Sequence, residues 1–258
     1  MTEDPTSSAP PKLIYLLLEA RAGAELAASL AAWPWLQFGP RGDGHPVLVL
    51  PGLLASDRSS LLLRRYLASR GHDVHGWGLG RNFGARGNVR NALLERLDEL
   101  HARSGRKVSL VGWSLGGMFA RFLAKERPDA VRQVITLGSP IAGDPRANRA
   151  WRVYQLVSGR RADDKPLRAR IIAEPTVPTT SIYSRSDGIV AWRCSVQRES
   201  AITENIEVVS SHVGLGMHPV VLHALADRLA QPEGAWQPFE RRGLRALVYP
   251  RAAAFQSR

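Results

Sequence analysis

The chain has 258 residues, 44 % of them hydrophobic and 22 % charged, proportions that supply one sizeable buried core and exclude wholesale disorder, a collagen-like repeat or a coiled-coil rod. Its single cysteine, Cys194, excludes an internal disulfide and a multi-thiolate metal site. Lys plus Arg outnumber Asp plus Glu by 35 to 23, a formal charge of +12, and only four of those cations are lysine, so the field is an arginine field that favours anionic surfaces or acidic substrates.

The arginines are scattered. Doublets occur at Arg64/Arg65, Arg160/Arg161 and Arg241/Arg242, but there is no run of five or six and no interleaving with aromatics. A solvated basic surface with no specific nucleic-acid module is the expectation.

Taken in chain order, the first twelve residues carry Glu3, Asp4 and two adjacent prolines, the wrong charge and stiffness for a secretory leader. From Lys12 to Leu36 the chain is strongly apolar, interrupted by Glu19, Arg21 and Glu25 well short of the roughly 18 uninterrupted residues of a spanning helix. This N-terminal extension, residues 1–40, is expected to hold a helix packed over the main body, with an interfacial membrane-surface helix as the competing reading. A cytoplasmic protein, with peripheral contact to anionic membrane, is the corresponding expectation for location.

After a Gly/Pro linker from Gly39 to Gly44, short apolar runs alternate with helical stretches. The runs are Pro46 to Leu50, His72 to Gly76, Lys107 to Gly112, Val131 to Leu137, Thr179 to Ser184 and Asn205 to Val209. The helical candidates are Asp57 to Arg70, Asn88 to Arg103, Leu115 to Arg127 and His218 to Ala230. This alternation predicts an α/β fold, a mostly parallel central sheet flanked by helices, over residues 41–230. Residues 141–178 lack a strand signal and are too long for a plain connection, which predicts a short cap insertion. Residues 231–258 form a Pro/Arg-rich tail that wraps over the body or frays. No internal repeat is visible.

The most informative residues are Gly112-Trp113-Ser114-Leu115-Gly116, between the run ending at Gly112 and a helical stretch. A serine on so tight a strand-to-helix turn needs glycine two positions to either side, where a side chain would strike the neighbouring strand or helix. A serine hydroxyl is a weak nucleophile until a base takes its proton, so an imidazole and a carboxylate are required as partners. Asp187, before Gly188, follows the fifth run, and His212 follows the sixth. In a parallel sheet those strand ends share one edge, so Ser114, Asp187 and His212 can converge as a triad. Asp144, after the fourth run, is the reserve acid. His218 and His223 fall at the start of and within a helix, which suits a surface or core role better.

Negative charge developing on a substrate oxygen needs two backbone N–H donors. Leu115, at the start of its helix, supplies one candidate, and Leu53, after Pro51-Gly52, the other. Leu54, Trp113, Ile141 and Val213 flank these loops as candidates for an acyl pocket, although core packing explains them equally well. His72 and His75 have a spacing that suits a metal on a helix, but they lie on a strand and lack further ligands, so no metal is expected. Cys194 reads as a small buried side chain.

With Leu50-Pro-Gly-Leu53, Gly-Trp-Ser114-Leu-Gly, Ser-Asp187-Gly and Ser-His212-Val-Gly-Leu-Gly in this order, the chain resembles the α/β-hydrolases, and within them bacterial lipase-like or esterase-like serine hydrolases, over Gly44 to Leu229. The resemblance implies that Ser114 attacks an ester carbonyl, His212 shuttles the proton, Asp187 orients His212 and water resolves an acyl-enzyme, with no cofactor or metal. Many relatives carry His-Gly where this chain has Pro51-Gly52, and often open with two antiparallel strands, a place that the apolar helix takes here. The implied substrate is a small-molecule or lipid-like carboxylic ester. Acyl transfer and thioester hydrolysis use the same residues, and a non-catalytic Arg-rich module binding membrane or polyanion is the alternative from a different class.

Overall fold

In a computed structural model, the chain is described over residues 10–159, 173 and 175–252. Six strands, β1 (Pro46–Leu50), β2 (Asp73–Gly76), β3 (Val108–Trp113), β4 (Val131–Leu137), β5 (Thr179–Tyr183) and β6 (Thr203–Glu207), form one sheet in the order β2-β1-β3-β4-β5-β6. Every pairing is parallel. The helices are α1 (Leu13–Leu17), α2 (Ala22–Leu36), α3 (Leu61–Ser69), α4 (Val89–Ser104), α5 (Leu115–Glu126), α6 (Trp151–Ser158), α7 (Trp192–Ser195), α8 (Pro219–Leu229) and α9 (Arg245–Val248).

β1 is wholly apolar, and β3 and β4 are rich in Val, Leu and Ile, because both their faces are covered. Successive side chains on a strand point to opposite faces. Val47 and Val49 accordingly join one buried cluster with Leu63, Tyr66 and Leu67 of α3 and Leu222, Leu225 and Leu229 of α8. Leu48 and Leu50 join the other, with Leu93 and Leu97 of α4 and Phe119 and Leu123 of α5. Each such side chain taken fully out of water contributes about 1.5–3 kcal/mol.

The chain winds from β1 out to β2 and then back to β3 and onward, so its direction reverses where β1 and β3 lie side by side. In open α/β sheets a crevice opens beyond the carboxyl ends of the strands at such a reversal. The register aligns Leu50 with Gly112, Gly112 with Thr136, Thr136 with Ser181 and Ser181 with Asn205. The segments after β1, β3, β4, β5 and β6 therefore emerge along one rim.

The elements depart from the sequence expectations in three places. β6 spans Thr203–Glu207 instead of starting at Asn205, because its polar residues are buried with partners: Glu204 pairs with Arg228 at 2.9 Å and accepts the Thr180 hydroxyl at 2.8 Å. The expected helix from Asp57 opens as a 3-10 turn, Asp57–Ser60, since the Asp57 carboxylate accepts the backbone N–H groups of Trp77 and Gly78 instead of capping a helix. The N-terminal apolar stretch is two helices, α1 and α2, joined by a 3-10 turn at Leu18–Arg21. Within the expected cap only α6 and short flanking pieces are described, and residues 160–172 and 174 lie outside the described residues. The tail wraps as far as Tyr249, which is buried and donates to the Val220 carbonyl at 2.8 Å. Among the described residues, no helix is long and apolar enough to cross a membrane.

Candidate active site

β3 ends at Trp113 and α5 starts at Leu115, leaving Ser114 alone to turn the chain. Its φ of 54° and ψ of −119° lie in a region that a non-glycine residue occupies only under strain. The strain is held by hydrogen bonds from Ser114 N–H to the Leu137 carbonyl (2.8 Å) and from Gly117 N–H to the Ser114 carbonyl (3.0 Å). Both flanking glycines are sterically required. A Cβ at Gly112 would lie 2.4 Å from the Gly116 carbonyl oxygen, and one at Gly116 would lie 2.1 Å from that of Leu50. Gly117 is equally confined, 2.0 Å from the Ser139 hydroxyl by the same measure.

The loops after β5 and β6 bring Asp187 and His212 together. Asp187 Oδ2 lies 2.6 Å from His212 Nδ1, and both residues are about 95 % or more removed from solvent. The other carboxylate oxygen, Oδ1, accepts the backbone N–H groups of Ile189 (2.8 Å) and Val190 (2.7 Å), which fixes the rotation of the carboxylate. With Nδ1 donating to Asp187, the lone pair of Nε2 is available as a base. Burial alone would push the His212 pKa down, but the charge and hydrogen bond of Asp187, with the charge of Glu19, outweigh it and the net shift is upward. Trp113, next to Ser114, donates its indole N–H to the His212 carbonyl at 3.1 Å, so the elbow and the histidine loop are tied. Among the described residues no hydrogen bond joins Ser114 Oγ to His212, so the Asp187–His212 pair is formed and its link to the serine is not.

Three residues that sequence reasoning took for interruptions of an apolar helix hold these loops in place. The Glu19 carboxylate accepts backbone N–H bonds from Gly188 (2.8 Å), His212 (2.8 Å) and Val213 (3.0 Å), bridging the loop of the acid to the loop of the base. Glu25 accepts from Ser211 through its N–H (2.8 Å) and its hydroxyl (2.5 Å). Arg21 bonds Glu25 at 3.2 Å and the Ser186 hydroxyl at 2.7 Å. Arg21 and Glu25 four residues apart were legible as a helical ion pair, but nothing local points to loops 165 and 186 residues away.

The two candidate donors are Leu115, next to Ser114 in the chain, and Leu53, in the loop after β1. Leu115 N–H stands at the positive end of α5, and among the described residues neither it nor Leu53 N–H has an acceptor. A Cβ at Gly52 would come 3.3 Å from Ser114 Cβ, so glycine lets the Leu53 loop approach the serine. The loop is pinned by the buried Asn82, whose side-chain amide N–H donates to the Pro51 carbonyl (2.8 Å) and whose backbone carbonyl accepts from Leu54 N–H (2.7 Å). Leu54 itself is held at φ 60°. Sequence reasoning missed Asn82.

Of the four pocket candidates, Leu54 is partly exposed at the rim, Trp113 and Val213 are half-buried beside His212, and Ile141 is buried. Asp144 is exposed and accepts from Arg146 N–H at 2.8 Å, while His212 Nδ1 bonds Asp187. His218 caps α8, and His223 bonds the Tyr249 hydroxyl at 2.9 Å. Cys194 is buried. His72 approaches His45 and Asp43 at the opposite edge of the sheet, where donor atoms of all three lie within 4.8 Å of one another. Asp43 there already pairs with Arg106 (2.6 Å) and Arg132 (3.0 Å), and His45 bonds Asp43 and Ser109. Burial holds the pKa of both histidines down, that of His72 to about 4.

The alpha/beta hydrolase fold family matches residues 45–174, half of the chain and the part that carries β1, β3 and the elbow. The chain belongs to that family. Lipase B from Aspergillus fumigatus shares the hydrolase fold at a TM-score of 0.56 and 17 % identity, over 74 % of this chain and 54 % of that one. Bacillus licheniformis lipase BlEst2 in its propeptide form gives 0.54 and 17 %, over 78 % and 55 %. The monoacylglycerol lipase of Paleococcus ferrophilus gives 0.52 and 17 %, over 73 % and 96 %. This hydrolase-fold chain thus spans only about half the length of the first two. At that identity the likeness is one of fold. No curated protein matches the chain.

Proposed function

We propose that the protein is a serine hydrolase that cleaves carboxylic esters with apolar acyl groups. The observation that supports this reading is the strained Ser114 at the carboxyl end of β3, on an elbow tied through Trp113 to the loop of a buried imidazole whose Nδ1 is held by a fixed carboxylate. Ser114 Oγ attacks the carbonyl carbon of the ester while His212 Nε2 takes its proton, and the imidazolium is stabilised by Asp187. The oxyanion of the tetrahedral intermediate accepts from Leu115 N–H and Leu53 N–H, neither of which has an acceptor among the described residues. Collapse breaks the bond to the alcohol, which leaves with the proton from His212. Water, deprotonated by the same imidazole, then attacks the acyl-serine and releases the acid. Leu54, Trp113 and Val213 give the surroundings an apolar character that suits an acyl chain, and lipases among the structural neighbours support the same substrate class.

Hydrolysis of short- and medium-chain p-nitrophenyl esters by the wild type and Ser114→Ala tests the assignment. The account expects a loss of about 1,000-fold or more in kcat, and activity that survives the substitution unchanged removes Ser114 from its role. Adding a thioester substrate and an alcohol acceptor separates ester hydrolysis from thioesterase or acyltransferase chemistry, which use the same atoms.

A further inference from the structure

The N-terminal helices are inside out. A helix packed on a soluble protein turns its apolar stripe inward and its charges to water. From residue 13 to residue 38, every exposed position is Ala, Gly, Pro, Leu, Ile, Trp or Phe. Leu13, Ile14, Leu17, Leu30, Trp35 and Phe38 are 53–87 % exposed. The polar side chains of the same stretch all face the body: Glu19, Arg21 and Glu25 on the catalytic loops, the Ser29 hydroxyl on the Met217 carbonyl, and Gln37 on Arg70 at 2.7 Å.

The inversion continues on the same face of the sheet. Tyr249 anchors the C-terminal turn in the cluster that also holds Leu36, and from that turn Leu244 and Leu247 stand more than 80 % exposed. Basic side chains edge the surface: Lys12 and Arg41 bracket the N-terminal segment, and Arg251 and Arg242, the latter paired at 3.1 Å with the exposed Glu240, lie in the C-terminal stretch.

We propose that this face, α1, α2 and the C-terminal turn, docks the protein on an anionic lipid bilayer. Leucines with Trp35 and Phe38 enter the boundary between head groups and acyl chains, and the flanking cations meet the lipid phosphates. Charge favours lipid over a second copy, since two chains of +12 meeting through this face would oppose basic rims of like sign. The segment that meets the lipid on its outer side grips the loops of Asp187 and His212 on its inner side, which places the catalytic rim beside the phase where an apolar ester dissolves. Docking requires no catalysis, so it stands or falls separately from the hydrolase assignment.

Flotation of the full chain with vesicles tests it. The wild type and Ser114→Ala are expected to float equally with phosphatidylcholine–phosphatidylglycerol vesicles, and about tenfold less with phosphatidylcholine alone or at about 1 M salt, where the Debye length falls to about 3 Å. The combined substitution Leu17→Glu, Leu30→Glu and Trp35→Glu should reduce binding about tenfold or more. Phe38→Glu, beyond the end of α2 and without packing to disturb, serves as the single variant and should reduce it several-fold. Wild type that stays with the buffer, or variants that float as well as it does, overturn the proposal. So does a solution dimer, seen by light scattering, that the same substitutions convert to monomer.

Discussion

Replacing Glu19 by glutamine keeps the shape of the side chain and removes its charge. The glutamate takes three backbone N–H bonds, two at one oxygen from Gly188 and His212 and one at the other from Val213. Glutamine retains a single acceptor oxygen, so its amide nitrogen must face at least one of these donors. Hydrogen bonds to charged groups contribute about 1.5–3 kcal/mol each. Losing one and weakening the others should destabilise the clamp by about 2–4 kcal/mol. Slack in the loop of His212 misplaces the base relative to Ser114, and displacements of about 1 Å can cost on the order of 100-fold in rate. The expected effect is therefore a fall in kcat of about 10- to 100-fold with KM little changed. Glu19 also acts through its charge, because it is among the groups that raise the His212 pKa. The base works when neutral, so the rising limb of kcat/KM against pH follows that pKa, and its midpoint should lie above the ordinary 6.5 and move to lower pH in Glu19→Gln. The assay is kcat/KM for a p-nitrophenyl ester over about pH 5–9, alongside thermal melting of both proteins. A variant that melts lower but keeps both kcat and the wild-type midpoint would refute the positioning role and leave Glu19 a structural residue only.

Asn82→Ala should release the loop of Leu53 without touching Ser114. Stopped-flow acylation should slow toward the roughly 100-fold loss typical of one missing oxyanion donor, and an unchanged rate would place the second donor elsewhere. Gly116→Ala drives a Cβ to 2.1 Å from the Leu50 carbonyl and should destabilise the fold by about 3 kcal/mol or more. Gly23→Ala, in α2 with nothing within 4 Å, should stabilise it by about 0.5–1 kcal/mol; equal melting of the two variants contradicts the steric argument. His72 is held neutral by burial with a folded pKa near 4, so the unfolded chain binds the extra proton first. Its contribution is complete above the unfolded value of about 6.5 and declines as pH falls toward 4, by about 3 kcal/mol. Urea midpoints measured across that window should show the decline in the wild type and a flatter profile in His72→Asn.

Much of this architecture is legible in the linear sequence because its central strands are buried on both faces. Pro46 to Leu50 is an unbroken apolar run and Val131 to Leu137 is rich in Val, Ile and Leu around Arg132, Gln133 and Thr136, and their limits match the strands. The limits of β6 are displaced by two residues because Thr203 and Glu204 look exposed in sequence yet are buried, Glu204 against Arg228 and Thr180, each 24 residues away. The site divides in the same way. Ser114 stands out through its local glycines, and Asp187 and His212 stand out because each follows a strand of a parallel sheet. Glu19 and Asn82 carry no such local mark: Glu19 is 193 residues from His212 and sits in a stretch whose apolar character directs attention away from it. The polar residues of α2 could not be told from solvent-facing ones, since periodicity reports which residues share a side of a helix and not which side is inside.

The most direct measurement is mass mapping of the adduct left by a fluorophosphonate, a reagent that reports a serine made nucleophilic by a neighbouring base. The account predicts one equivalent of label on the peptide containing Ser114, labelling slowed by two or more orders of magnitude in His212→Ala, and none in Ser114→Ala. Label found on a different serine, or a wild-type protein that takes none while remaining folded, would contradict it.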